Sequence, residues 1–243
     1  PVLNIQALPS PSLPASTPNP VFEEKPQSEY WKEFQELRTR SSKVSEYGLL
    51  RDLVFVLQGV NGNAVQYHHE TKSFMMASGL TDSPSVRAAV ERIAQCGNHF
   101  LAINQMLSHA ASSNAAIMRQ CLARSVENEL QDYLKIVACY EASLAESDAS
   151  SLTLRKVMIM FQESQYRLQF IRMVLAETLQ IRGCELLSAL IKFKSHGDQK
   201  LAAIIVKFVA DMMLPFHEIM SEFILHGELS DPFQEFFVSD SRS

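Results

Sequence analysis

The sequence predicts an all-α protein: stacked antiparallel helical bundles, elongated, with one small β-hairpin near residues 64–77. Three observations carry that expectation. Glycine is scarce, with 8 in 243 residues, and glycine is second only to proline in weakening a helix interior. Seven of the ten prolines fall within residues 1–28, so long downstream stretches contain neither breaker. In those stretches apolar residues recur at three- and four-residue spacing, the stripe of an amphipathic helix. The breaks between stripes are short, and short connections give antiparallel neighbours.

The elements follow in order. Residues 1–28 carry Ser, Thr and Asn between their prolines and read as an extended linker or docked tail. Ser10-Pro11 and Thr17-Pro18 have the form of proline-directed phosphorylation sites, although linker composition alone accounts for them. Ser28 is expected to cap a short amphipathic helix through about residue 40, with Tyr30, Phe34 and Leu37 at i, i+4, i+7. A second helix spans about 46–58. There Leu49, Leu50, Leu53, Val54, Phe55, Val56 and Leu57 leave little polar face beyond Arg51, Asp52 and Gln58, so nearly all of it should be buried. Gly59 ends it, and Asn61-Gly62 signals a tight turn. Val65 and Tyr67 then alternate before Phe74, Met75 and Met76, with residues 68–72 as the polar turn of the hairpin.

The rest reads as helix after helix. Ser83-Pro84, a cap followed by proline at the first helical position, opens a helix to about His109. Asn114 caps a helix of nearly 30 residues through Leu144. After the 146–150 loop, Ser151-Leu152-Thr153-Leu154-Arg155 begins another, with a joint expected at Glu163 or Ser164 and a stop at Gly183. A short helix over 185–195 should end in a left-handed cap at His196-Gly197. Asp198 caps a long pattern to His226-Gly227. Pro215 lies inside it at a cost of roughly 3 kcal/mol, so a kink or break is expected near Leu214. No fixed-period repeat is present.

Composition excludes several functions. A net charge of −5 and a pI near 5.8 argue against nucleic acid as partner, since phosphate binding needs a basic face. No apolar run reaches the roughly 18–20 residues of a membrane span, and no signal peptide heads the chain. Cys96, Cys121, Cys139 and Cys184 lie far apart, at neither metal-ligand nor CxxC spacing. They read as buried thiols of a reducing, intracellular compartment.

Positive signs of chemistry are lacking. His196-Gly197-Asp198 is accounted for by helix caps and His68-His69-Glu70 by a solvated turn, whereas a metal site needs further converging ligands. No GxGxxG, GxxxxGK[ST], GxSxG or HExxH motif occurs. The ten methionines sit on apolar helical faces and read as core filler. The chain is therefore expected to be no enzyme, with no catalytic, cofactor-binding or metal-binding residue. What remains is interaction: a helical scaffold or, alternatively, a helical tethering or trafficking adaptor.

Three segments sharpen this reading: 50–62 (LRDLVFVLQGVNG), 151–156 (SLTLRK) and 227–238 (GELSDPFQEFFV), with SHGD at 195–198. In this order they resemble the N-terminal half of the gamma-tubulin complex protein family, also called spindle pole body components, over roughly residues 46–238. FVLQG, SLTLRK and GEL…EFFV look most like component three. The resemblance implies side-by-side association with sister components through N-terminal helical bundles. The resulting ring templates microtubule nucleation at the spindle pole body or centrosome, a cytoplasmic, cytoskeletal location. Gamma-tubulin would be held by a C-terminal half beyond this chain, and small adaptor or coiled-coil tethering proteins by the N-terminal extension. Residues 29–243 would form the lateral-assembly region. On the motifs, the interaction candidates are Arg51, Asp52, Gln58, Gly59, Gly62, Arg155, Gly227, Glu228, Asp231, Pro232, Phe233, Glu235, Phe236 and Phe237. The chain is expected to be a fragment whose last segment folds Phe233, Phe236 and Phe237 back on the bundle and turns toward the absent half.

Overall fold

The computed structural model describes residues 45–77, 83–110, 116–146, 152–229 and 231–238, all within the unit Ser42–Ser243. The expected proline-rich tail, the 28–40 helix, the cap at Asn114 and Ser151 lie outside the described residues. The described chain is predominantly helical. Its elements are α1 (Glu46–Leu57), a hairpin of β1 (Val65–His68) and β2 (Ser73–Met76), α2 (Pro84–Ala110), α3 (Ile117–Glu146), α4 (Leu154–Thr178), α5 (Gly183–Phe193) and α6 (Gln199–His226). Among them no helix is long and apolar enough to cross a membrane.

Helix α1 starts where the Ser45 hydroxyl accepts the Gly48 N–H at 3.2 Å, a side-chain cap for an otherwise orphaned donor. It buries Leu49, Leu50, Leu53, Val54, Val56 and Leu57. Two tyrosines of α3 read its backbone: Tyr133 Oη donates to the Leu57 carbonyl and Tyr140 Oη to the Leu50 carbonyl, each at 2.8 Å. Both hydroxyls are buried, and these bonds remove the desolvation cost of a lone buried donor. Phe161 of α4 packs edge-on to both rings, so α1, α3 and α4 share one aromatic centre.

Helices α1 and α2 meet at Gly97. A Cβ there would lie 3.0 Å from the Val56 carbonyl carbon and closer still to its oxygen. Only glycine permits that backbone approach. Helix α4 packs along α2, and α6 lies against α3 and α5. A charged clamp ties three helices: Glu129 of α3, almost wholly buried, accepts from Arg167 of α4 at 2.6 Å and Lys207 of α6 at 2.8 Å. The hairpin pairs Val65 with Met76 through His68 with Ser73, and Asn98 Oδ1 of α2 accepts the Phe74 N–H at 2.7 Å.

The Cys139 thiol, expected to be buried, is exposed, and five details of the helices also differ from the sequence reading. The joint expected at Glu163 or Ser164 is absent; α4 runs unbroken from Leu154 to Thr178, with Ser164 buried. Gly183 does not stop that helix but opens α5, at φ +56°. His196-Gly197 forms no left-handed cap, because α5 closes at Lys194 through its N–H to the Ile191 carbonyl. Helix α6 continues through Pro215 without a break. Ile204, Ile205, Phe208 and Met212 before the proline and Ile219 after it stay buried, and their burial outweighs the lost hydrogen bond. Finally, Phe55 is 48% exposed. With Tyr47 and Arg51 it forms an exposed i, i+4, i+8 stripe along α1.

Candidate functional site

The first segment builds a helix end and a bracket. Gly59, at φ +76°, ends α1 in a Schellman motif: the Gly59 N–H bonds the Val56 carbonyl and the Val60 N–H bonds the Phe55 carbonyl, each at 2.9 Å. Gln58 is the exposed C-cap. Asp52 points inward, and its buried carboxylate accepts the N–H groups of Asn63 (2.6 Å), Ala64 (2.6 Å) and Val65 (3.1 Å). Gly62 makes room for it, since a Cβ there would lie 2.7 Å from Oδ1 and nearer to Oδ2. Asp52 therefore belts α1 to the start of β1, while Arg51, its neighbour, is exposed. Sequence reasoning placed both on a polar face; the structure separates them.

The second segment caps α4. Thr153 Oγ1 accepts the Lys156 N–H at 3.4 Å, and the carboxylate of Glu46, from α1, accepts the Leu154 N–H at 2.9 Å. An acid at a helix N-terminus also meets the dipole favourably. Leu154 is buried, and Arg155 is exposed on the rim of an open groove of about 390 Å³ with Leu49, Val86 and Met158 on its walls.

The third segment is a strap. Gly227, at φ +69°, caps α6 by donating its N–H to the Phe223 carbonyl at 3.1 Å. Glu228 and Pro232 are exposed. Asp231 Oδ2 accepts the Phe236 N–H at 2.6 Å, closing a loop that aims Glu235 inward. Only 3% exposed, Glu235 accepts the Met118 N–H at 3.1 and 3.2 Å from its two carboxylate oxygens, capping α3. Its own carbonyl accepts the Cys184 N–H at 3.1 Å, at the start of α5. Gly183 must lack a side chain here, because a Cβ would lie 2.7 Å from that carbonyl oxygen. Arg119, next in α3, donates to the Thr178 carbonyl, which also accepts the Ile181 N–H, and to the Ile181 carbonyl just beyond the end of α4.

Of the three aromatics expected to fold back, Phe236 does. It is buried against Phe216 and Phe223 of α6, with ring centroids 5.4 and 6.1 Å away. Phe237 stacks on Phe236 at 4.2 Å and reaches the Phe216 ring at 6.3 Å but stays 68% exposed, and Phe233 is 40% exposed.

Burial governs the electrostatics. It raises the Glu235 carboxyl above its ordinary value, against the opposing pull of the Met118 and Ile117 N–H groups. It also raises the Cys184 thiol, helped by Asp231 and Glu235, and pushes Cys96 up to about 12. His99 falls to about 4, through burial first and then the Arg172 charge.

The helices that carry the first two segments meet through Glu46 of α1 and Leu154 of α4. The strap lies elsewhere: Met118 and Tyr140 are separated along α3 by about 33 Å at 1.5 Å per residue. Asp52, Asp231 and Glu235 thus hold backbone groups in two separate structural brackets. Sequence reasoning missed Glu46, Gly97, Asn98, Arg119 and Glu129. A lone glycine inside the α2 pattern was a readable signal for Gly97; the others depend on tertiary neighbours.

A family model described as Gamma tubulin complex component N-terminal matches residues 50–243. The chain is similar to Gamma-tubulin complex component 3 of Arabidopsis thaliana, 24% identical over 221 residues, covering 86% of this chain and 26% of that protein. It is similar to Gamma-tubulin complex component 3 of Homo sapiens, 22% identical over 206 residues and covering 81% and 23%. It is also similar to Spindle pole body component alp6 of Schizosaccharomyces pombe, 25% identical over 213 residues and covering 81% and 26%. The chain spans about a quarter of the length of these relatives.

Proposed function

The chain belongs to the gamma-tubulin complex component N-terminal family, and from that premise we propose that it is a non-catalytic scaffold region that associates side by side with sister components. The family match, running from α1 to the end of the strap, carries this reading. In the assembled complex the array of such regions sets out a template for microtubule nucleation at a microtubule-organising centre or spindle pole body. Gamma-tubulin is held by a C-terminal half that follows this region in the whole protein, and small adaptor or coiled-coil tethering proteins bind toward the N-terminal extension. The strap suits a joint between the two halves: Glu235 and Phe236 anchor it to three helices, while Phe237 stays exposed at its outer end.

The test is a pair of binding measurements on the purified 243-residue chain. It is expected to bind the N-terminal region of a sister component and to leave gamma-tubulin in the unbound fraction. Capture of gamma-tubulin by this chain alone, or no association with any sister component, overturns the reading.

A further inference from the structure

The outward stripe of α1 sits beside the last turns of α3, and between them lies an open trough of about 330 Å³. Tyr47, Arg51 and Phe55 form one wall; Glu141, Leu144 and Ala145 form the other. Tyr47 is 41% exposed and Phe55 48%. They stand two turns apart, about 12 Å along the helix, with Arg51 one turn from each. Single exposed apolar residues need no explanation, but aromatic–Arg–aromatic along one face has the composition of an interface core. Arg51 and Glu141 carry opposite charges on facing walls, and among the described residues neither is part of an ion pair.

We propose that this trough is the seat of an amphipathic helix from a neighbouring sister component. The inference rests on the side-by-side reading above and supplies it with a face. The occupant carries large apolar residues at helical spacing to lie between Tyr47 and Phe55, an acid against Arg51 and a base against Glu141. The same fold contains a helix of that type. Helix α4 exposes Ile159, Tyr166 and Met173 at seven-residue intervals, the repeat of a helix-pairing seam, and a sister component of this fold presents its counterpart of α4. A neighbour's ridge entering this trough is a heterologous contact, the kind that extends into rings or open arrays.

A photo-crosslinking residue, p-benzoylphenylalanine, placed at position 55 of the full chain tests the seat directly. In a mixture with a sister component's N-terminal region, crosslinks to a helix of the sister support the proposal. Crosslinks only within the chain itself overturn it. Independently, Tyr47→Glu with Phe55→Glu should weaken association at least ~tenfold, while Ile191→Glu, at an exposed position of α5, should leave it unchanged. Both positions lie outside the core, and a circular dichroism melt checks that the double variant stays folded. If the unaltered chain binds the sister and the folded double variant binds equally well, the trough is not the seat, although lateral association stands. If the unaltered chain does not bind at all, the reading beneath the proposal falls, and the proposal with it.

Discussion

The carboxylate of Asp52 occupies the space that a side chain at Gly62 would need. The helix residue and the turn residue are therefore fitted to each other across ten positions of sequence. Three backbone N–H groups depend on the arrangement. Asp52→Ala leaves those donors without their partner, and should cost about 3 kcal/mol in urea unfolding. Asp52→Asn, which keeps one acceptor oxygen, should cost less than half as much. Gly62→Ala should resemble Asp52→Ala, because the methyl group displaces the carboxylate. Equal midpoints for all three variants and the parent chain would refute the bracket.

Gly97 sets two effects of opposite sign against each other. In an open helix interior, Gly→Ala gains about 1 kcal/mol of propensity. Here the new methyl group would strike the Val56 backbone, and forcing α1 from α2 costs roughly 1–3 kcal/mol or more. Gly97→Ala is therefore expected to lower the melting temperature. A rise would mean that the two helices separate easily and that the close approach is dispensable.

Glu235 makes a signed pH prediction. Its folded carboxyl titrates above the ordinary value of 4.5 because it is buried, so over that interval the folded chain binds more protons than the unfolded one. Its contribution to stability is complete below the ordinary carboxylate range and is lost as pH rises through the raised folded value. Glu235→Gln cannot ionise and removes this slope. The stability of the parent chain relative to Glu235→Gln, measured by urea titration at several pH values, should fall as pH increases across the acid range. A difference that stays flat, or that grows with pH, contradicts the assignment.

Thiol reactivity separates two cysteines. Cys96 is buried at the helix core with its thiol raised to about 12, whereas Cys139 is exposed on α3. The thiolate is the reactive form. Iodoacetamide at mildly alkaline pH should label Cys139 within minutes and reach Cys96 only after denaturant is added, as read by mass spectrometry of peptides. Labelling of Cys96 at a similar rate in the native chain would mean that the core opens locally.

Leu53 is wholly buried in α1. Leu53→Asp places an unpaired charge in that core, at a cost of several kcal/mol, and should unfold or aggregate the chain. A normal melting curve would show α1 to be peripheral.

Much of this architecture could be read from the residues. The helical class, the hairpin, the Asp198 cap and the start of α2 at Pro84 follow from local rules, because propensity, capping and turn chemistry act within a few positions. Gly183 was misjudged for the opposite reason, and at Pro215 the chain stays helical without a break. Gly183 is required by the carbonyl of Glu235, 52 positions away, and Pro215 is carried by packing that a helical pattern does not price. Phe55 misled differently. An aromatic inside an apolar run reads as core, yet α1 has only so much circumference to offer α2 and α3. The candidate site was legible as motifs but not as places: Asp52 read as polar face and Glu235 as a motif residue, and both are buried acceptors of backbone hydrogens.

The two tyrosines of α3 touch α1 at carbonyls seven residues apart, and are themselves seven residues apart. Two equal intervals on antiparallel rods act as a double pin: neither helix can slide by a turn without losing both bonds together. The trough between these helices is accordingly a preformed mould. A partner of the proposed kind would spend binding energy on ordering the exposed side chains of the walls but not on moving the two helices, so its affinity should depend on side-chain fit rather than on any reshaping of the bundle.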